Sequence, residues 1–244
     1  MESVPNKKDF TYLFSTWWPQ KDEVSVMQKF MADNGYKNVA IVTDLDAFNF
    51  EFGKFFESQA PANGLNIVAF EKVAIGIKDF RTLILKLKNY KPDAVLIEMQ
   101  DTSQNGPFMR QAKELKLNIK TFSSAGAENE DNLKSFPGQF EGFLYTFPKP
   151  IENDLYKDAV RKYEEKYGKG SKGPSFLGAY NATVATLAVL NQGARTGTEI
   201  RDALYKLNIP GIGIERLTFD KNGQNSGSTF EIKTVRNDQF VPYK

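Results

Sequence analysis

Cysteine and histidine are both absent from this chain of 244 residues. Without thiolate or imidazole there is no disulfide framework, no Cys/His zinc site, no cysteine nucleophile and no catalytic triad that turns on histidine. Much hydrolytic and redox chemistry is thereby excluded, and no cofactor is called for. A charge excess of one sign is lacking too. Thirty-two Lys and Arg against 30 Asp and Glu leave a net charge of +2, too even for the concentrated positive field that phosphate backbones select, so nucleic acid is not an expected partner. Long apolar runs are missing: stretches such as Val39–Val42 and Ala94–Ile97 fall far below the roughly 20 residues of a membrane helix. Met1-Glu-Ser-Val-Pro5 has neither the basic start nor the apolar core of a secretion signal, and a signal or lipid anchor is expected upstream.

What remains is an ordinary globular composition, 41% hydrophobic and 25% charged, enough to bury one or two cores. From Trp18 to Tyr145 helix-period segments alternate with short apolar runs, which is the signature of βαβ units and of an α/β, doubly wound, mainly parallel sheet. Val24, Met27, Phe30 and Met31 share one helical face, and Gly35 ends it. Strands are expected at Lys37–Thr43, Leu65–Phe70, Ala94–Ile97, Ile119–Ser123 and Glu141–Thr146, with helices over about 50–60, around Phe80–Leu87 and over Phe108–Leu115. After Pro148 and Pro150 the pattern changes to helices near Asp154–Tyr167, Ser175–Gln192 and Thr198–Leu207 with no strand between them. The tail returns to strands at Ile214–Phe219, Thr229–Val235 and Gln239–Val241, separated by turns at Asp220–Gly223 and Asn237–Asp238.

Several phrases fall in a telling order: Tyr12-Leu-Phe-Ser-Thr16, Gly35-Tyr-Lys-Asn-Val-Ala-Ile-Val42, Lys78-Asp-Phe80, Pro92-Asp-Ala-Val95 ahead of Met109-Arg-Gln-Ala112, Glu141-Gly142, Tyr163 to Gly168, and Leu217-Thr-Phe-Asp-Lys-Asn-Gly223. Together they resemble the leucine/isoleucine/valine-binding family of type I periplasmic solute-binding proteins that serve ABC transporters. The resemblance implies a non-enzymatic binder with two lobes around a cleft, a membrane permease as partner, and a periplasmic or extracellular location. It also implies a division: residues 1–16 at the first crossover, 17–145 as a second lobe, 146–210 as helices of a first lobe whose N-terminal segment has no counterpart here, and 211–244 as strands returning to the second lobe. The helices carry Leu155, Val160, Leu177, Val184, Leu187, Val189, Leu190, Ile200 and Leu204. Many of these are expected to face a sheet this chain does not encode, and so to meet a second copy or repack.

The resemblance also places a ligand site, where this sequence departs from the amino-acid-binding pattern. Phe48 stands where a tyrosine hydroxyl is usual, Gln100 or Asp101 at a second such position, and Ser123-Ser124-Ala125-Gly126 where a carboxylate meets the ligand ammonium. An ordinary α-amino acid then lacks its counter-ion unless Glu128 turns inward, so a small, partly aromatic or apolar solute is expected. Trp17 and Trp18 offer faces for stacking, against the plainer role of packing in the hinge, and Tyr180 offers ligand contact against core packing. The carboxylates Asp44, Asp46, Glu98, Asp101, Glu128 and Glu130 sit at or just after strand ends; loop charge and helix capping account for them more simply than a divalent cation does.

Two alternatives stand beside the carrier. The same fold serves as the sensing domain of a receptor. More remotely, Ala40-Ile-Val-Thr-Asp44-Leu-Asp46 resembles the nucleophile motif of haloacid-dehalogenase phosphatases, with Asp44 attacking phosphorus, Asp46 as acid and base, and magnesium neutralising the phosphate. Phe48 stands where that motif has a small hydroxyl residue, and no late lysine with an Asp pair follows.

Overall fold

The computed structural model describes residues 11–99, 102–168, 174–225 and 227–244. The chain gathers into two compact units, one of residues up to Asp22 with Pro148–Phe230, the other of Glu23–Phe147 with Glu231–Lys244. Against the division expected from the resemblance, residues 17–22 and 211–230 cluster with the helices.

The larger unit is built on parallel strands β1 (Asn38–Asp44), β2 (Asn66–Val73), β3 (Ala94–Glu98), β4 (Lys120–Ser123) and β5 (Leu144–Lys149), to which the antiparallel pair β8 (Thr229–Arg236) and β9 (Gln239–Pro242) is added; the order across the sheet is β2-β1-β3-β4-β5-β8-β9. Period-two alternation sends the side chains of the central strands to opposite faces. Val39, Ile41, Leu96 and Phe122 pack with Val24, Met27 and Met31 of α1 (Gln20–Asp33) and with Phe52 and Phe56 of α2 (Ala47–Gln59). Ala40, Val42, Val95 and Ile97 pack on the other side with Ile84 and Leu87 of α3 (Arg81–Tyr90) and Phe108 and Ala112 of α4 (Thr102–Glu114). Both faces are covered, which is why β1 and β3 read as continuous apolar runs.

Local polar contacts explain the ordered phrases of the sequence. The Asp93 carboxylate accepts from Lys37 and Asn38 N–H (2.9 and 2.8 Å), so the Pro92-Asp93 turn registers the start of β3 against β1. The Gln111 amide donates to Lys78 O and accepts from Phe80 N–H, both at 2.7 Å, which ties the entry of α3 to α4. Gly53 lets α2 approach β1, because a Cβ there would meet Thr43 Cγ2 at 2.6 Å. Asn237 and Asp238, with φ of 52° and 53°, form the tight turn between β8 and β9. β5 starts three residues later than expected: Gly142 has φ of 76°, a conformation a strand does not continue through.

The smaller unit holds α6 (Asp154–Tyr167), α7 (Pro174–Asn191) and α8 (Gly197–Tyr205); the short α5 (Glu130–Ser135) belongs to the larger one. Thr196 and Glu199 form a reciprocal capping box at the start of α8. In place of the expected strand Ile214–Phe219 there is a two-residue ladder, β6 (Asn208–Ile209) with β7 (Leu217–Thr218). Leu217, Ile214 and Phe219 pack against Ala185 and Val189 of α7 and Leu204 of α8. The 211–219 segment therefore supplies α7 with the apolar partner that the sequence had seemed to lack. The other side of α7 is exposed through Ala179, Ala182, Thr183, Thr186 and Leu187. Thr183 and Thr186 donate their hydroxyls back to Ala179 O and Ala182 O (2.9 Å each), which leaves methyl groups outward.

Candidate functional site

In a doubly wound sheet the loops beyond the carboxyl ends of the strands carry ligand sites, because helices cover both faces and the strand ends alone stay open. Asp44 ends β1 fully buried, and its carboxylate accepts from the Asn49 amide (2.9 Å) and Asp46 N–H (3.1 Å). Asp46 is the N-cap of α2, accepting from Phe48 and Asn49 N–H. The Asp-x-Asp phrase is thus a turn and a cap. Phe48 lies in the first turn of α2 with its ring exposed.

The ends of β3 and β4 meet in a buried polar cluster. Glu98 Oε1 accepts from Ser124 N–H at 2.7 Å, Glu98 Oε2 lies 2.7 Å from Ser124 Oγ, and Ser123 Oγ is 3.4 Å from Oε1. From α1, Glu23 accepts from Ala125 N–H (2.8 Å) and from the Thr146 hydroxyl (2.7 Å). Two carboxyl groups thus clasp consecutive residues of one turn, which runs on into a 3-10 turn at Ala125–Ala127. Burial, reinforced by the nearby Glu23 charge, pushes the Glu98 carboxyl up to about 8 against the stabilising bonds from Ser124 and Ser123. Gly126 lies beside this cluster; the one heavy atom near a Cβ built there would be Ser124 Oγ, at 3.9 Å.

Glu128 is committed elsewhere. Its Oε2 accepts from Tyr145 Oη (2.6 Å) and Lys233 Nζ (2.5 Å), and Lys233 stands 4.6 Å from the centre of the Phe147 ring. Burial and this carboxylate hold the Tyr145 phenol protonated far above its ordinary range. Glu128 is accordingly not turned toward Ser124 to receive an ammonium. Glu130 pairs with Lys134 on the surface of α5. Gln100 and Asp101 lie outside the described residues.

In the smaller unit Trp17 and Trp18 stack on each other (centroids 4.2 Å, 23°), with Trp18 buried edge-on to Phe230 and Trp17 40% exposed. They line a cavity of about 20 Å³ with Thr16, Pro150, Gly178 and Asn181, room for about one water and not for a solute. Tyr180 does not line it and lies exposed beside Phe176. Asn181, missed in the sequence, is buried and makes two backbone bonds to Ile212, donating to O at 3.0 Å and accepting from N–H at 2.9 Å. A larger groove of about 260 Å³ lies at the opposite end of the main sheet, over Leu117–Thr121 and Glu141–Phe143. It is open, and its lining mixes Met109, Leu117 and Phe143 with Lys120 and Glu141.

A doubly wound sheet with hydroxyls, an aromatic ring and buried carboxyls at its strand ends defines the chain as an α/β protein of open parallel-sheet type. The chain belongs to the periplasmic binding protein family, whose model matches residues 2–237; this is a family of binding proteins, not of enzymes. The phosphatase reading of Asp44 and Asp46 is overturned by that membership and by the capping role of Asp46. A leucine-, isoleucine-, valine-, threonine- and alanine-binding protein of Pseudomonas aeruginosa is 24% identical over 92% of this chain, which spans 60% of that relative. The crystal structure of a leucine-binding protein from Thermotoga maritima superposes with a TM-score of 0.80 at 22% identity, covering 96% of this chain and 67% of that one. A solute-binding protein of an ABC transporter from Rhodopseudomonas palustris, in complex with 3,4-dihydroxybenzoic acid, matches with a TM-score of 0.70 at 22% identity, over 91% of this chain and 62% of that one. The fold is that of type I periplasmic binding proteins over part of their length. Among the described residues no helix is long and apolar enough to cross a membrane.

Proposed function

We propose that this chain is the solute-binding component of an ABC-type importer, acting outside the cytoplasm with a membrane permease as partner, and that it holds a small molecule at the carboxyl ends of β1, β3 and β4 without chemistry. The observation that carries this reading is the Ser123–Gly126 turn, built of small residues and held from behind by Glu98 and Glu23. Phe48 adds an exposed apolar ring beyond the end of β1, separated from β4 by β3. Glu128, the carboxylate that could have turned toward an ammonium, is engaged instead by Tyr145 and Lys233. A small aromatic or apolar acid fits these groups better than an unmodified amino acid, and the dihydroxybenzoate held by one relative is the compound to try first. Trp18 is given a packing role, and Trp17 is the tryptophan left to report a solute.

A thermal-shift panel of branched-chain amino acids and hydroxybenzoates tests this directly. Stabilisation by the benzoates and not by leucine upholds it, and stabilisation by leucine alone overturns the ligand class. The exposed stripe of α7 is assigned to self-association, with a second copy as its occupant. Sedimentation over a range of concentrations checks it, Leu187→Lys restoring the monomer if the stripe is the interface.

A further inference from the structure

Three lysines follow one another where α4 gives way to β4: Lys113 in the last turn of the helix, Lys116 just beyond it with φ of 55°, and Lys120 at the start of the strand. Carboxylates close to them are already taken. Glu114 faces Arg81 and Arg110 (3.8 and 3.7 Å), and Glu141 accepts from Asn237 N–H (2.9 Å). Among the described residues Lys113, Lys116 and Lys120 have no ion-pair partner. The negative end of the α4 dipole accounts for Lys113 and Lys116. It does not account for Lys120, which opens a strand and lines the groove of about 260 Å³ at the amino end of the sheet. Lys120 Nζ lies 3.4 Å from where a Cβ on Gly142 would stand, so the ammonium reaches from β4 to the turn before β5. Beside it the Asn118 amide is exposed and makes no hydrogen bond among the described residues, while Leu117 and Phe143 in the same lining are buried.

We propose that this groove docks an extended acidic segment of a partner protein, with one large apolar side chain seated on Met109, Leu117 and Phe143 and a flanking carboxylate on the Lys120 ammonium and the Asn118 amide. Charge complementarity selects the sign of the partner, since Lys113 and Lys116 add to the positive field around Lys120. Glu141, exposed on the same lining, is the charge that argues the other way, and Asn237 N–H draws its carboxylate off. Shape selects the kind of partner. Pockets for small molecules run to roughly 300–1,000 Å³ and bury most of the ligand; this groove is smaller and open, so its occupant needs an anchor within it and a body outside it. A layer of lipid headgroups would meet the lysines and leave the apolar lining unfilled. The proposal is independent of the solute reading, because the groove lies wholly in the larger unit at the end of the sheet opposite Ser123–Gly126.

Amide chemical-shift titration with the peptide acetyl-Glu-Glu-Phe-Glu-Glu-amide tests this, beside the same peptide with Lys for every Glu and the same peptide with Ser for Phe. The acidic peptide is expected to move Asn118, Lys120 and Gly142 to saturation, and the basic one to move none of them. Serine in place of phenylalanine is expected to weaken binding about tenfold. Lys120→Glu, an exposed change whose unfolding midpoint checks that the fold is kept, is expected to weaken it by at least about fivefold. No shift at these three amides, equal binding of the acidic and basic peptides, or an unchanged affinity in Lys120→Glu overturns the proposal. So does binding to phosphatidylglycerol vesicles without any response to the peptide, which would give the lysines to a lipid surface instead.

Discussion

The two units bury their helices in opposite ways. In the larger one a sheet lies between α1 and α2 on one face and α3 and α4 on the other, so every apolar stripe finds a partner. In the smaller one α7 is apolar all round, yet only the side through Asn181, Ala185 and Val189 is buried, against a ladder two residues long and α8. Apolar content by itself does not tell which face of a helix is inside. What decides is whether a second surface of matching width is present.

The largest expected effect tests the covered side of this contrast. Phe52→Ala removes a ring packed between α2 and the sheet and is expected to cost about 3–5 kcal/mol of unfolding free energy in a denaturant titration. Leu217→Ala in the small ladder is expected to cost about 2–5 kcal/mol. Near-equal losses, seen in one transition, would mean that the ladder is as integral to its unit as the sheet is to its own. A loss from Leu217→Ala under about 1 kcal/mol would break the claim that 211–219 forms the core beneath α7.

Thr196→Ala takes away the hydroxyl that caps α8, and with it half of the capping box; a loss of about 0.5–2 kcal/mol is expected by thermal unfolding. Titration of stability adds a signed test. Because burial raises the Glu98 carboxyl from an ordinary 4.5 to about 8, the folded state holds a proton that the unfolded state releases between those values. The stability it lends is complete below about 4.5, declines as pH rises, and is gone above about 8. Glu98→Gln is expected to flatten that decline. Smallest of all, Leu187→Ala on the open side of α7, 53% exposed, is expected to change stability by no more than about 0.5 kcal/mol at concentrations where the chain sediments as a monomer; a loss of the size found at Leu217 under those conditions would mean that the stripe is covered within the single chain.

Much of the fold was legible because it is written in local periods. β1 and β3 announce themselves as apolar runs, α6 by the change of pattern after Pro148 and Pro150, and the β8–β9 turn by Asn237-Asp238. β6 and β7 were not, since two residues carry no period and their pairing is fixed by Leu217 entering a core assembled from distant segments. The polar cluster at the ends of β3 and β4 was legible in its residues more than in its bonding. Ser123, Ser124 and Gly126 could be picked out from the end of a strand. Their holder could not: Glu98 is 26 residues from Ser124, and Glu23 is 102 from Ala125. The one local hint was an acidic residue closing the buried run Ala94–Ile97. Tyr180 and Trp18 were singled out by residue type; Tyr180 lies exposed beside Phe176, and Trp18 packs edge-on to Phe230.

The central claim is that the solute is held at the carboxyl end of the sheet, not in the larger groove at its amino end. Amide chemical-shift mapping with 3,4-dihydroxybenzoate tests it most directly. The account expects shifts at Phe48 and Ser123–Gly126 with Asn118, Lys120 and Gly142 unmoved, and shifts confined to the latter three would contradict it.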